Sequence, residues 1–226
     1  AFSDTNVAST GVNGTTGRHS MRLINSRFAT ETKFFWNERA LNLETQTTIP
    51  IKDHGEMGFS GENGDLSFND LITKLSAIGY YRELFKFVYG TEEITEAKIQ
   101  SALAQFIRSI QSFDSKYDVG RALAANDGQP FSNFTAQENQ GKNLFLSPPV
   151  FDANGVRTSG GLGCAGCHRA PEFDIDPNSL NNGIIGTIAG TGIDTGNTRA
   201  PSLRDLVRTN GTTNGPMMHT GVITTL

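Results

Sequence analysis

The residues with the clearest chemical potential lie close together, at Cys164, Cys167 and His168. They form the pattern C-x-x-C-H, in which two thiols can add to the two vinyl groups on one edge of a porphyrin. The adjacent imidazole is then placed beneath the iron as its proximal ligand. The spacing therefore predicts one covalently attached c-type haem, with His168 as a ligand of the haem iron.

Other uses of this cysteine pair are disfavoured by the rest of the sequence. A zinc site needs two further soft ligands, and the chain has 2 cysteines in all. A thioredoxin-like pair belongs between a strand and a helix and has no obligatory histidine. Two cysteines this close also cannot staple a fold of this size. Haem attachment is the interpretation that uses all three residues.

The second axial ligand of this haem is open on sequence grounds. The candidates are the remaining histidines and the methionines, which are His19, His54, His219, Met21, Met57, Met217 and Met218. Met217 and Met218 follow the haem motif at a separation that is common for a distal thioether. Packing of both methionines near the haem edge is the alternative, so ligation and packing both stay open for Met218.

Composition sets limits on the function. The chain has 226 residues and a net charge of −4, which argues against a nucleic acid partner and gives no reason to expect binding to an anionic membrane surface. No apolar run approaches the roughly 18 residues that a membrane span requires. The sequence has no signal peptide and does not begin with methionine, so we expect a mature or trimmed product of an exported protein.

The elements that must position the haem motif are helices separated by long irregular stretches. Apolar residues at helical spacing predict a helix over 67–89, broken near Gly79, and another over 95–113. A capping box that starts at Thr135 predicts a helix to about residue 146. The 25 glycines favour loops elsewhere. We expect a mainly α fold with long irregular loops and few strands.

The stretch 120–130 is interpreted as a connection between two domains. It separates the region rich in predicted helices from the region that holds the haem motif. The sequence therefore predicts domains at 1–125 and 126–226.

Six segments, taken in order, resemble the bacterial di-haem cytochrome c peroxidases. They are residues 17–25, 35–40, 43–57, 164–168, 198–204 and 216–221. The resemblance implies two cytochrome c-like haem domains, with 1–125 as the remainder of the N-terminal, peroxidatic domain and 126–226 as the C-terminal, electron-transfer domain. It also implies a second c-type haem attached upstream of Ala1, so we expect a fragment that lacks both ends of the family's chain.

The resemblance assigns roles to three residues of the N-terminal domain. Glu56 matches the distal acid–base carboxylate, which transfers a proton between the two oxygens of peroxide. Gln46 matches a second distal residue that donates a hydrogen bond to peroxide. Trp36 matches a residue that relays electrons between the haems. From the residues alone, a solvated glutamate, an exposed glutamine and a core aromatic are the alternatives.

The resemblance also implies ligands. Asn25 matches a side-chain ligand of a calcium ion between the domains, and the backbone carbonyls of Thr209 and Pro216 match further ligands. Arg199 and Arg204 would pair with haem propionates, because a guanidinium binds carboxylates well. Solvated loop arginines are the alternative for these two positions.

The sequence departs from the family pattern at Gly11. The removable histidine ligand of the peroxidatic haem would fall near this position, and no histidine is there. Either that haem is open without reductive activation, or His19 or Met21 replaces the ligand. We expect the open site.

These assignments predict a di-haem peroxidase that reduces hydrogen peroxide with electrons from a cytochrome c or a cupredoxin. The alternatives are a MauG-like di-haem oxidase of a protein or organic substrate, and a mono-haem electron carrier. The distal ligand of the C-terminal haem, which we expect beyond Leu226, would separate the first two. Because covalent haem attachment takes place outside the cytoplasm, we expect a periplasmic protein, and a homodimer is one option for its assembly.

Overall fold

The computed structural model describes residues 4–175, 177 and 179–226. In this part of the chain the helices are α1 (Leu43–Lys52), α2 (Phe68–Ser76), α3 (Gly79–Tyr89), α4 (Glu96–Ser109), α5 (Lys116–Leu123) and α6 (Ala136–Leu146). Strand β1 (Pro149–Phe151) pairs with β2 (Arg157–Gly160), and β3 (His168–Arg169) pairs with β4 (Asp174–Ile175), both antiparallel. The described chain is mainly helical with long loops, which confirms the predicted class.

The helices predicted from apolar spacing are present with adjusted ends. The segment 67–89 divides into α2 and α3, and Ser67 forms a capping box with Asp70 at the start of α2. Helix α4 ends at Ser109, earlier than predicted, because Ile110 adopts an extended backbone and its carbonyl accepts a hydrogen bond from the Asn25 amide at 3.0 Å. Helix α6 begins after the capping box at Thr135, as expected.

Helices α1 and α5 were not predicted as separate elements. Helix α1 contains Pro50, which has no backbone N–H to donate within the helix, and several threonines with weak helix propensity. Its start is fixed by Asn42, whose side chain accepts a hydrogen bond from the Thr45 amide at 2.8 Å. Helix α5 overlaps the start of the predicted connection 120–130, and Ser115 and Asp118 form its capping box.

The core lies around α1 and α4, which pack against each other. One buried cluster comprises Ile51, Phe68, Ile94 and Ile99. A second joins Leu43 to residues of α4. Each fully buried aliphatic side chain contributes roughly 1.5–3 kcal/mol. Because Leu43 and Ile51 are buried against these clusters, α1 is held firmly and its other residues can be presented to a site.

No helix in the described part of the chain combines the length and the apolar character needed to traverse a membrane.

Candidate functional site

The haem motif folds as a short 3₁₀ turn, Cys164–Gly166, followed by strand β3. Gly163 adopts a left-handed φ of 70° and leads the chain into the turn, and the Cys167 amide closes it by donating to the Cys164 carbonyl at 3.1 Å. Both cysteines are half-buried. The turn therefore places both sulfur atoms close in sequence to His168, as attachment to one porphyrin requires.

The His168 imidazole is oriented for metal binding. Its Nδ1 lies 3.1 Å from the Phe173 carbonyl, and donation to this oxygen leaves the lone pair of Nε2 available to a metal. Burial lowers the pKa of His168, which favours the neutral imidazole that coordinates iron. The donor set therefore fits the proximal side of a c-type haem.

A cavity of about 310 Å³ adjoins this imidazole. Its walls are largely apolar and include Cys167, His168, Leu203, Leu206 and Met218. An apolar cavity beside the attachment cysteine is what a covalently held porphyrin requires. Met218 lies in the cavity wall, which is compatible with packing and with ligation, so its role as a ligand stays a prediction.

A second cavity, of about 880 Å³, contains the three residues predicted to be catalytic. Gln46 comes from α1, Glu56 from the turn after α1, and Trp36 from the loop before it. Helix α1 buries Leu43 and Ile51 against α4, whereas Gln46 and Pro50 line the cavity. The packing of this helix therefore determines which side chains reach the cavity.

Glu56 is half-buried at this cavity, so the alternative of a fully solvated loop glutamate is wrong. Burial raises the pKa of the Glu56 carboxyl, the nearby Asp53 raises it further, and Arg39 opposes both. A carboxyl group with a raised pKa exchanges a proton more readily near neutral pH. This is a suitable environment for an acid–base group.

Gln46 lines the same cavity and carries a side-chain oxygen without a hydrogen-bond partner in the described part of the chain. Among the described residues its buried Oε1 accepts no hydrogen bond. A buried unpaired oxygen costs free energy unless a ligand or water supplies a donor. Gln46 can therefore accept a hydrogen bond from a bound hydroxyl group, in addition to the predicted donation from its amide.

Trp36 lies between the two cavities and lines both. Its side chain is 7% exposed, and its Nε1 donates to the His19 carbonyl at 2.7 Å. The indole also contacts the His219 ring edge-on, with the centroids 6.0 Å apart. Other residues that line both cavities are His19, Ser20, Arg22, Arg199, Pro201 and Ser202. These seven residues form a shared wall.

The two candidate propionate-binding arginines have different surroundings, and neither is solvated. Arg199 is part of the shared wall and pairs with the buried Asp174 at 3.3 Å. Arg204 lines neither cavity, and it donates to both carboxylate oxygens of Asp118 and to the Pro171 carbonyl. Its donors are therefore engaged in tying the loop around 200 to helix α5 rather than facing a haem.

The side chain of Asn25, a predicted calcium ligand, is engaged by protein partners. Asn25 is buried, its Oδ1 accepts from the Ser112 amide at 2.7 Å, and its Nδ2 donates to Glu172 at 2.9 Å. Thr209 is exposed, and Pro216 lines the smaller cavity. No cluster of three or more His, Cys, Asp or Glu residues suited to a metal ion occurs in the described ranges. Calcium binding stays a prediction.

The loop around Gly11 is anchored directly on the turn that carries Glu56. The Val12 amide donates to the Glu56 carbonyl at 2.9 Å, and the Asn13 amide donates to the Gly55 carbonyl at 3.3 Å. A Cβ atom at position 11 would lie 2.1 Å from the Gly55 oxygen. The backbone therefore occupies the space that a side chain at position 11 would need in this conformation.

Sequence reasoning did not assign a role to Arg22 or to Arg39. Arg22 belongs to the shared wall, and Arg39 lines the larger cavity with its guanidinium carbon 3.6 Å from the centroid of the Phe35 ring. Neither position carries a local sequence signal, because the cavities are formed by segments that are distant along the chain.

The site and fold together define a c-type haem protein with a second, larger cavity next to the haem site. A family model described as di-haem cytochrome c peroxidase matches residues 1–126, which is more than half of the chain. The chain therefore belongs to the di-haem cytochrome c peroxidase family, a family of haem oxidoreductases, and c-type haem is its cofactor. The resemblance drawn from six sequence segments is confirmed.

Individual relatives agree with the family. The methylamine utilization protein MauG of Methylorubrum extorquens is 30% identical over 208 residues, covering 86% of this chain and 49% of that protein. MauG of Methylophilus methylotrophus is 28% identical, covering 91% of this chain and 54% of that protein. The cytochrome c551 peroxidase of Nitrosomonas europaea is 31% identical over 141 residues, covering 61% of this chain and 33% of that protein. The chain thus spans about half or less of these relatives.

A solved structure shares the fold. It is a MauG-like protein associated with microbial copper homeostasis, with a TM-score of 0.65 and 24% identity. The superposition covers 98% of this chain and 64% of the other. The mainly helical, loop-rich architecture is therefore the one that this MauG-like protein adopts over the matched part.

Proposed function

We propose that the chain is part of a di-haem peroxidase that reduces hydrogen peroxide to water, with electrons entering at the C-terminal haem on Cys164 and Cys167. The supporting observation is that Glu56, Gln46 and Trp36 line one cavity, and that Trp36 also lines the cavity beside His168. The donor is a small redox protein, a cytochrome c or a cupredoxin. This assigns 1–125 to a peroxidatic haem domain and 126–226 to an electron-transfer haem domain.

The second haem would occupy the larger cavity and supply an iron that binds peroxide and exchanges electrons with it. Glu56 takes the proton from the nearer peroxide oxygen and delivers it to the farther oxygen. The O–O bond breaks, the farther oxygen leaves as water, and two electrons and two protons complete reduction to two waters. Gln46 orients the peroxide through a hydrogen bond to its unpaired Oε1.

Trp36 is proposed to relay electrons across the shared wall. Its indole is buried, and its N–H is held by the His19 carbonyl at 2.7 Å, so the ring has one fixed orientation. A buried aromatic ring with a fixed orientation divides the path of the electron between the two haems into two shorter steps. The structural role of a core aromatic is compatible with this relay.

A MauG-like oxidase is the second candidate. The chain aligns with two MauG proteins over 86% and 91% of its length, and with the peroxidase over 61%. The backbone contact of Gly11 with the Glu56 turn also favours a peroxidatic haem that lacks the removable ligand. Under this reading the same residues activate peroxide, and the electrons come from a protein or organic substrate.

The proposal also covers the cellular location of the protein and its assembly. Because covalent haem attachment takes place outside the cytoplasm, the proposal includes a periplasmic location, where a donor protein can reach the haem on Cys167. Calcium between the domains and a homodimer are further expectations. An open peroxidatic haem predicts a high-spin component in the spectrum of the fully oxidised protein, and a purely low-spin spectrum would contradict it.

The test uses the full-length protein with its haems, in which two haems per chain are counted before turnover is measured. Replacing Glu56 by Gln removes the proton carrier and should lower kcat for peroxide, with reduced cytochrome c or cupredoxin as donor, by about 10²-fold or more. Glu62→Gln is the matched control, because Glu62 is exposed and lies outside both cavities. An unchanged rate in Glu56→Gln would contradict the assignment.

The same assay separates the two candidate functions. A peroxidase consumes peroxide in proportion to the reduced donor protein supplied. A MauG-like oxidase instead consumes peroxide while a protein or organic substrate is oxidised, and addition of a reduced donor does not accelerate it. One haem per full-length chain would exclude both and favour an electron carrier.

A further inference from the structure

The shared wall between the two cavities contains a buried histidine with an unused nitrogen. His19 is 2% exposed, and its Nδ1 lies 3.1 Å from the Val7 carbonyl, to which it donates. Nε2 is buried and has no hydrogen-bond partner among the described residues. A buried, unpaired polar atom is costly, so this nitrogen points to a group that the protein chain itself does not supply.

The position of His19 is fixed by its backbone as well as its ring. Its amide donates to the His219 carbonyl at 2.7 Å, and its carbonyl accepts from the Trp36 indole at 2.7 Å. The backbone of His19 is therefore held on both sides, and a turn of the ring toward another partner would break the hydrogen bond of Nδ1 to the Val7 carbonyl.

A second unused donor lies three residues further along. Arg22 lines both cavities, and its Nη2 donates to the Asn214 carbonyl at 3.2 Å. Its Nε is buried and lacks a partner in the described part of the chain. Arg199, on the same wall, is already paired with Asp174, so Arg22 is the arginine with capacity left for a ligand.

We propose that His19 and Arg22 form a clamp for one carboxyl group, a haem propionate, at the wall between the two cavities. A carboxyl group has two oxygens. The Arg22 Nε–H donates a hydrogen bond to one of them, and the other oxygen and His19 Nε2 share a proton in a second hydrogen bond. One ligand thus satisfies both unpaired atoms. Charge-assisted hydrogen bonds of this kind are roughly twice as strong as neutral ones.

Both residues line both cavities, so the carboxyl group can belong to the haem on Cys167 or to the haem proposed for the larger cavity. The chemistry is the same in each case, and the experiment identifies the haem. Acidic groups act on the clamp from two sides: Asp4 interacts electrostatically with His19, and Asp205 with Arg22. The inference rests on the proposed di-haem assembly but not on peroxide turnover.

The experiment is a spectroelectrochemical titration of each haem in the full-length, haem-loaded protein. Arg22→Gln should lower the midpoint potential of one haem, because the guanidinium stabilises the added negative charge of the reduced state. His19→Gln removes the second hydrogen bond to the propionate and should shift the potential of the same haem. We expect about a tenfold change in the one-electron equilibrium constant, which corresponds to ~59 mV. Arg22→Lys keeps the charge and should restore most of the shift.

Arg27→Gln is the control, since it removes the same charge from an exposed residue outside both cavities. The clamp is overturned if Arg22→Gln shifts neither potential more than this control does, or if the two variants act on different haems. It is also overturned if His19→Gln converts a low-spin haem to high-spin, which would make His19 an iron ligand. If the wild type reduces no peroxide but the shifts occur, the clamp stands and the peroxidase function fails.

Discussion

At the scale of single residues, the environment of Glu56 differs from the one that its neighbours in sequence suggest. Its neighbours in sequence suggest a solvated loop, yet the carboxyl lines a cavity, where burial and Asp53 raise its pKa. Proton transfer from peroxide begins with the carboxylate, so turnover should rise with pH through this raised pKa and level off above it.

Asp53→Asn tests the electrostatic part of this environment. The substitution removes a negative charge but keeps the side-chain oxygen that accepts the Glu56 amide at 3.0 Å. The pKa of Glu56 should fall, because the carboxylate is then less repelled, and the rising limb of kcat against pH should move to lower pH. The pH profile of the full-length enzyme measures this shift. A limb that stays in place, or moves in Glu62→Gln as well, would show that Asp53 does not control the group.

The haem-attachment residues could be predicted from sequence because covalent haem chemistry demands C-x-x-C-H. The three catalytic candidates were predicted from the family resemblance, and the structure brings them to one cavity, while their roles stay predictions. For Asn25 and Arg204, the sequence did not show which protein groups their side chains contact. Their residue types suit calcium and propionate, but each is engaged by distant partners, Ser112 for Asn25 and Asp118 for Arg204. Such partners are set by long-range packing, which a residue type does not encode.

At the scale of elements, some helices have a local signal in the sequence, whereas others form because of contacts with distant residues. The capping boxes at Ser67 and Thr135 are visible in sequence because cap and partner are three residues apart. Helix α1 has no such local signal, and Pro50 argues against a helix there. It forms because Leu43 and Ile51 are buried against α4, so the decisive contacts are tertiary.

The contact between the Gly11 loop and the Glu56 turn can be tested by a single substitution at position 11. Gly11→Val would place a Cβ atom 2.1 Å from the Gly55 oxygen, so the loop or the turn must move. A misplacement of about 1 Å can cost about 10²-fold in rate, and we expect a loss of kcat/KM for peroxide of that order with unchanged haem content.

Gly14→Val is the matched control for this loop. A Cβ atom at Gly14 meets nothing within 4 Å, so the same substitution should leave kcat/KM nearly unchanged. Equal effects of the two substitutions, or no effect of Gly11→Val, would show that the loop does not position Glu56.

At the scale of the whole molecule, the loop-rich region that carries the haem motif is joined to the helical region by long-range ion pairs. Arg204 connects the loop around 200 to Asp118 in helix α5, with oxygens at 2.8 and 2.7 Å, and its guanidinium also lies over the Phe113 ring. Arg18 and Asp194 make a more exposed link at 2.7 Å. These pairs span long stretches of sequence, which explains why no local pattern predicted them.

Arg204→Met should therefore destabilise the whole protein rather than one site. The substitution keeps an unbranched apolar side chain but leaves Asp118 without its bidentate partner. Removal of one member of a buried pair costs about 3–5 kcal/mol, and we expect a loss of free energy of unfolding near the lower end, because Asp118 is partly exposed. Lys116→Met breaks the exposed pair with Glu138 and should cost only about 0–1 kcal/mol. Denaturant unfolding of both variants measures the difference. If Arg204→Met lost no more stability than Lys116→Met, the buried pair would not join the two regions, and their association would depend on the apolar and haem contacts alone.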